Sequence, residues 1–195
     1  MAAAMNTFLI LVGAIFINNY VLVQFLGMCP FFGVSKKTET ALGMGLSVIF
    51  VMTLASAFTF LFNKYILVRF DITYLSTIVF ILIIASIVQF VEVFMKKMFK
   101  ALYAMLGVYL PLITVNCAIF GVTLLNIKNY ESFWDAMVNS LGAGIGFTLA
   151  MLLLAGIREK YEANPDIPEL FRGFPLALFS AGLMSIAFMG FMGLI

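Results

Sequence analysis

Histidine is absent from this chain of 195 residues. The imidazole side chain is the usual proton shuttle near neutral pH and the commonest metal ligand in proteins. The sequence therefore excludes histidine-ligated haem, zinc sites of the cysteine–histidine kind and any catalytic triad with a histidine base.

Charge is scarce as well, at 10% of the residues, and the net charge is only +2. Nucleic-acid-binding domains carry a concentrated basic face, so we expect no nucleic-acid partner. Apolar residues, by contrast, make up 64% of the chain, compared with about 45–50% in soluble domains. A soluble fold of this size has too little interior to bury that much apolar surface. We therefore predict an integral membrane protein in contact with the lipid bilayer.

The N-terminus lacks the basic stretch that begins a cleavable signal peptide, and the first apolar run continues to Val34. We expect this run to hold a membrane helix. Charged residues divide the rest of the chain into five further runs, each close to the ~20 residues that cross a bilayer. No connection is long enough to separate a second domain, so we predict a single all-α membrane domain over residues 1–195. The six expected transmembrane helices are 6–28, 41–62, 73–95, 101–125, 134–156 and 174–194.

Lysine and arginine are distributed unevenly over the connections between these helices. The first, third and fifth connections hold eight of them, and the second and fourth hold three. Positive residues favour the cytoplasmic side of a membrane. The sequence therefore predicts a multi-pass protein with both termini outside.

The first and fourth helices contain residues that do not suit a continuous membrane helix. Gly27 lies in the first, Pro30 follows its expected end within the same apolar run, and Pro111 and Asn116 lie in the fourth. Proline removes a backbone donor and clashes with the preceding turn, and non-helical backbone at membrane depth persists only where protein or water covers it. We therefore expect both helices to be interrupted, with nearby asparagines satisfying the freed backbone groups.

The two interrupted helices occupy corresponding positions in the two halves of the chain, about 1–97 and 98–195. Three helices per half place the halves in opposite orientations, which predicts two inverted three-helix repeats. Paired interrupted helices in such repeats are the best sequence indication of a central site.

Each of the two cysteines lies in one of the interrupted helices, Cys29 beside Gly27 and Cys117 beside Asn116. A buried cysteine often packs as a small apolar side chain, and that interpretation stays open. As thiolates, the pair suits a soft metal or an iron–sulfur cluster. A [2Fe–2S] cluster usually takes four cysteines, so such a site needs two more from another chain. The two thiols lie at the same depth in the membrane only if helix four breaks near Pro111.

Several long segments resemble the A subunits of the Rnf family of ion-translocating complexes. The cysteine-bearing segments 18–37 and 110–121 are the longest, and shorter matches cover 155–159, 171–173 and 181–191. The E subunits of the sodium-translocating NADH:quinone reductases share the cysteine segments and are the close alternative.

The resemblance implies a [2Fe–2S] cluster held between this chain and a homologous six-helix subunit of opposite topology, similar to the Rnf E subunit. Each subunit of such a pair gives two cysteines. By this resemblance, Cys29 and Cys117 are the metal ligands of this chain. Their neighbours at the cofactor are Leu26, Gly27, Asn116 and Ala118.

The resemblance further implies a place in the bacterial cytoplasmic (inner) membrane. Complexes of this family move electrons between reduced ferredoxin and NAD⁺ and couple this to transport of Na⁺ or H⁺. Other Rnf subunits hold the flavins and the nucleotide site, so we expect no catalytic residue and no complete active site on this chain. Judged by the residues alone, a secondary transporter with inverted repeats and a structural scaffold remain alternatives.

Overall fold

A computed structural model of the chain describes residues 2–67, 76–98, 112–113, 116–130, 132–164, 168 and 173–193. Within these ranges all regular structure is helical. The helices are α1 (Ala2–Val12), α2 (Met28–Val34), α3 (Thr38–Phe62), α4 (Ser76–Met98), α5 (Cys117–Asn129), α6 (Phe133–Glu162) and α7 (Phe174–Met189). Short π-helical turns, Gly13–Ile17 and Asn63–Leu67, follow α1 and α3, and a 3₁₀ turn, Gly190–Gly193, follows α7.

Two of these helices are long and apolar enough to cross a membrane: Thr38–Tyr65, which includes α3, and Phe133–Glu162, which is α6. The other described apolar helices are shorter. Large apolar side chains point outward, among them Phe90 and Ile186. Such surface is unfavourable in water and favourable in lipid, so the structure supports the membrane prediction. The order of six spans as inverted repeats stays a prediction.

Helices α3 and α6 form the central pair of the bundle, and small residues bring them close. A Cβ atom added to Gly144 would lie 2.9 Å from Cγ1 of Ile49, and one added to Gly45 would collide with the side chain of Thr148. Small residues at a crossing allow the two backbones to approach in a membrane, where dispersion contacts replace the hydrophobic effect between helices. This rigid pair forms the support against which the interrupted segments pack.

The first membrane segment is interrupted, as the sequence predicted. The helical structure that begins with α1 stops at Ile17, residues 18–27 form turns, and α2 begins at Met28. The expected end of this segment at residue 28 was wrong, because α2 continues to Val34. Pro30 does not break α2 since it lies in the first turn, where a backbone N–H has no intrahelical acceptor.

Asn19 compensates for this interruption. Its side chain is fully buried, and its Nδ2 donates to the carbonyl oxygens of Ile15, at 3.1 Å, and Gly146, at 3.0 Å. Its Oδ1 accepts from the backbone N–H groups of Val21 and Leu22 at 3.1 and 3.2 Å. One amide therefore satisfies three backbone groups of the interrupted segment, which a continuous helix would have satisfied itself, and its fourth bond ties the interruption to α6.

The fourth segment resumes as a helix at Cys117, and its expected range of 101–125 is only partly described. Helix α5 extends to Asn129, four residues beyond that range. Asn116, immediately before α5, has an extended backbone with φ −73° and ψ 110°. The predicted break at Pro111 lies outside the described residues.

Candidate functional site

The two cysteine-bearing helices begin at the same place in the molecule. The backbone N–H of Gly27 donates to the Sγ atom of Cys117 at 2.9 Å, across 90 residues of sequence. Cys29 follows Gly27 by two residues and lies in the first turn of α2, and Cys117 is the first residue of α5. Both thiols are free and exposed. The fold therefore brings the two predicted ligands to one region of the surface.

Gly27 makes this meeting of helices sterically feasible. Its φ of +81° lies in the left-handed region, which glycine adopts without strain. A Cβ at this position would lie 2.8 Å from Cε2 of Phe147, 3.0 Å from Cβ of Ala118 and 3.2 Å from Oδ1 of Asn116. The predicted neighbours Gly27, Asn116 and Ala118 are therefore in contact around Cys117.

Leu26, the fourth predicted neighbour, packs against the next turn of α5. A Cβ on Gly121 would lie 2.6 Å from Cδ1 of Leu26. Glycine at position 121 thus leaves the space that the Leu26 side chain fills. This contact fixes the turn before α2 against the side of α5, four residues after Cys117.

Phe147 shows where the site lies along α6. Phe147 is the middle residue of α6, the 30-residue helix that is long enough to span a bilayer. A Cβ on Gly27 would meet Phe147, and the Gly27 N–H donates to Cys117, so the starts of α2 and α5 lie beside the middle of α6. The sequence placed the thiols at different depths unless helix four breaks near Pro111, and that break lies outside the described residues.

Helix N-termini dominate the electrostatics around the sulfur atoms. The first N–H groups of a helix have no intrahelical acceptor and carry partial positive charge. Asn116 caps α5, because its Oδ1 accepts from the N–H of Ala118 at 3.0 Å. The buried Nδ2 of Asn116 makes no hydrogen bond within the described residues.

The chemistry of the donor set fits half of an iron–sulfur site. Among the described residues, no group of three or more histidine, cysteine, aspartate or glutamate side chains is placed to hold a metal ion. The two thiols are exposed on the surface of the bundle rather than enclosed by it. Two thiolates and an open face fit a cluster whose remaining ligands come from a second chain.

Arg158 is a site residue that the sequence did not reveal. The charge pattern assigned it to a cytoplasmic connection, but it lies on α6 with only 4% of its surface exposed. Its Nη1 donates to the carbonyl oxygen of Phe32 at 2.8 Å and to Oγ of Ser35 at 3.1 Å. Its Nη2 lies 3.9 Å from the carboxylate of Glu162. Arg158 therefore holds the end of α2 opposite to Cys29.

No feature of the sequence distinguishes Arg158 from the other basic residues near the membrane surface. Its membership of the matching segment 155–159 is the only signal that could have directed attention to it. A buried cation that binds the carboxyl end of a seven-residue helix complements the negative end of the helix dipole.

Comparisons with known proteins identify a matching family and similar relatives. A family model described as "Rnf-Nqr subunit, membrane protein" matches residues 7–195. The A subunit of the Na⁺-translocating ferredoxin:NAD⁺ oxidoreductase complex of Acetobacterium woodii is 55% identical over 190 residues, covering 97% of this chain and 98% of that one. The A subunit of the ion-translocating oxidoreductase complex of Pseudoalteromonas translucida is 54% identical over 187 residues, 96% of each chain. The corresponding subunit of Syntrophotalea carbinolica is 50% identical over 190 residues, covering 97% of this chain and 98% of that one.

Proposed function

Because the chain belongs to the Rnf-Nqr family of membrane subunits, we propose that it is the A subunit of a complex that couples electron transfer between ferredoxin and NAD⁺ to ion transport. Relatives that align over almost their whole length carry the A-subunit name, and one is named as Na⁺-translocating. The resemblance of the cysteine segments to A subunits predicted the same assignment. The chain is then a subunit of an enzyme complex, and the substrate sites lie on other subunits.

In this proposal Cys29 and Cys117 are two ligands of a [2Fe–2S] cluster, which supplies a one-electron carrier when bound. The observation that carries the proposal is the hydrogen bond from Gly27 to Cys117, which joins the two cysteine-bearing helix starts beside the middle of α6. A carrier at the middle of the bilayer divides the electron path into two shorter steps. The remaining two ligands come from a homologous subunit of opposite topology, packed against the exposed thiols.

The residues of this chain would tune the carrier through hydrogen bonds and fixed charge. The N–H of Gly27 withdraws charge from the Cys117 sulfur, and hydrogen bonds to sulfur are one of the levers that set the potential of a cluster. The starts of α2 and α5 add partial positive charge. An extra electron on the cluster, in this low-dielectric region, therefore changes the electrostatic energy of both interrupted segments. We propose that this change biases which side of the membrane the interrupted helices open to, and so couples electron transfer to ion access.

The proposed location is the bacterial cytoplasmic membrane, with both termini outside. The Lys- and Arg-rich connections then face the cytoplasm, as the positive-inside rule requires. In this orientation Arg158 and the end of α2 lie in the cytoplasmic half, and the connection between α5 and α6 lies at the outer face.

Electron paramagnetic resonance of the complex, purified without oxygen and reduced with dithionite, tests this function. We expect a [2Fe–2S] signal in the wild type that is missing from assembled complexes carrying Cys29→Ser or Cys117→Ser. An unchanged spectrum in both variants would make the cysteines packing residues and restore the transporter and scaffold alternatives.

A redox titration tests the electrostatic part of the proposal through Arg158. Helix α2 is about 10 Å long, so the guanidinium lies at that order of distance from Cys29. At an effective dielectric constant of ~20, and with part of the charge offset by Glu162, one positive charge favours the reduced state by roughly 1 kcal/mol. For a one-electron couple this corresponds to about 40 mV.

We therefore expect Arg158→Met to lower the midpoint potential of the cluster by about 40 mV. Arg158→Lys keeps the charge but loses the forked geometry of the guanidinium, so its potential should stay near the wild-type value. If Arg158 had a purely structural role, both variants would lose the cluster or fail to assemble. The midpoint potential would then not depend on whether residue 158 carries a charge.

A further inference from the structure

The amide of Asn116 supports the backbone with only one of its two ends. Asn116 is 3% exposed and precedes α5 as its N-terminal cap. Its Oδ1 accepts from the backbone N–H of Ala118 at 3.0 Å. Exchanging the oxygen and nitrogen of the amide would place two donors against each other, so this bond fixes the orientation of the side chain. Its Nδ2 is therefore the end that remains for another partner.

Asn19, at the other interruption, uses both ends of its amide within the chain. Its Nδ2 donates to two carbonyl oxygens, and its Oδ1 accepts from two N–H groups. The Nδ2 of Asn116 is buried as well, but it has no hydrogen-bond partner among the described residues. Buried polar groups in native proteins are almost always hydrogen-bonded, and an unpaired one is costly. Helix capping does not explain this cost, because serine and aspartate cap a helix as well as asparagine does without an amide NH₂ group.

The contacts of the same amide place it beside the Cys117 thiol. Oδ1 of Asn116 would lie 3.2 Å from a Cβ atom on Gly27, and the N–H of Gly27 donates to Sγ of Cys117 at 2.9 Å. Cys117 also follows Asn116 directly in the chain. The other close neighbours of Gly27 are the methyl group of Ala118 and the ring of Phe147, which are apolar. Of the side chains around Gly27, that of Cys117 is therefore the one that can accept a hydrogen bond from Asn116.

The chemistry of the sulfur determines how well it accepts this donor. A neutral thiol is a weak acceptor, and the Sγ atom of Cys117 already accepts from Gly27. A cysteine that binds a metal does so as a thiolate. Hydrogen bonds to an ionised acceptor are shorter and roughly twice as strong as those between neutral groups. A thiolate ligand at position 117 is thus the kind of acceptor that the Nδ2 of Asn116 requires.

We propose that Nδ2 of Asn116 donates to the sulfur of Cys117 when that sulfur binds the iron–sulfur cluster, and that this hydrogen bond raises the midpoint potential of the cluster. This inference rests on the proposed function, which makes Cys117 a ligand. The reduced cluster carries one more negative charge than the oxidised cluster, so a donor at a ligand sulfur stabilises the reduced state more. Gly27 belongs to the turn before α2 and Asn116 caps α5. Each interrupted segment then gives one hydrogen bond to the same sulfur.

A redox titration of the complex, purified without oxygen and followed by electron paramagnetic resonance, tests this role with two variants. Asn116→Ser removes the amide NH₂ group but keeps an oxygen that caps α5, whereas Asn116→Ala removes both. We expect each variant to lower the ratio of reduced to oxidised cluster about tenfold at a fixed ambient potential, which is about 59 mV for a one-electron couple. If Asn116 acted only as a helix cap, Asn116→Ser would keep the wild-type potential and only Asn116→Ala would differ.

A second measurement detects the hydrogen bond directly and needs no variant to fold. The wild-type complex, containing asparagine labelled with ¹⁵N at the side-chain amide, should show coupling between that nitrogen and the reduced cluster in pulsed electron paramagnetic resonance. Asn116→Ser should lose this coupling. A normal cluster signal without the coupling, or a wild-type potential in Asn116→Ser, would overturn the role of Asn116 and leave the proposed function standing. A wild-type complex without a [2Fe–2S] signal would overturn the proposed function and this inference together.

Discussion

Replacing Cys117 with serine should lower electron transfer from reduced ferredoxin to NAD⁺ by at least ~100-fold. Substitutions of groups that merely orient metal ligands already cost about 10–100-fold, and loss of a ligand thiolate removes a soft donor that serine does not replace. The cluster would no longer divide the membrane path, so the two sides of the complex would be disconnected. Steady-state NADH formation by the purified complex measures this loss.

Partial reactions show whether the loss is specific to the relay. Oxidation of NADH by an artificial acceptor uses subunits on one side of the membrane and should stay at the wild-type rate in Cys117→Ser. Met28→Leu, a volume-conserving change beside Cys29, is the matched control. Wild-type ferredoxin:NAD⁺ activity in Cys117→Ser would contradict a role of this thiol in electron transfer.

The sequence predicted the elements of the site better than their arrangement. Gly27, Asn116 and the two cysteines could be identified because a proline near them disfavours a continuous helix and an asparagine at membrane depth is costly unless it has a partner. The interruption of helix one was predictable for the same reason. Their convergence was implied only by the family resemblance and not by the residues themselves, since it depends on the hydrogen bond from Gly27 to the Cys117 sulfur and on packing against the middle of α6.

Features that depend on tertiary contacts escaped prediction. Arg158 was assigned to a surface connection because a basic residue after an apolar run normally marks the membrane boundary. Its burial against the end of α2 depends on how α6 packs against the first segment. The buried hydrogen bond from Asn139 to Asn126 was equally hidden, because the two residues lie on different helices and each alone resembles a helix-end polar group.

Gly27→Ala should destabilise the protein by about 2–5 kcal/mol. A left-handed backbone costs a residue with a Cβ roughly 1–2 kcal/mol, and overpacking of a filled site costs about 1–3 kcal/mol more. The added methyl group would press on Phe147 and Ala118, which belong to the middle of α6 and the first turn of α5. Relief of that contact moves the Gly27 N–H away from the Cys117 sulfur and separates the two helix starts.

Two measurements on Gly27→Ala distinguish a local change at the site from general loss of fold. Thermal denaturation of the detergent-purified complex should show a lower midpoint, and the iron content per assembled complex should fall with it. Gly156→Ala is the matched control, because a Cβ at Gly156 meets nothing within 4 Å and alanine is favoured over glycine inside a helix by about 1 kcal/mol. Equal stability and full iron content in both variants would mean that the contact among Gly27, Phe147 and Ala118 is not required. The close approach of the two cysteine-bearing helices would then not be what holds the site together.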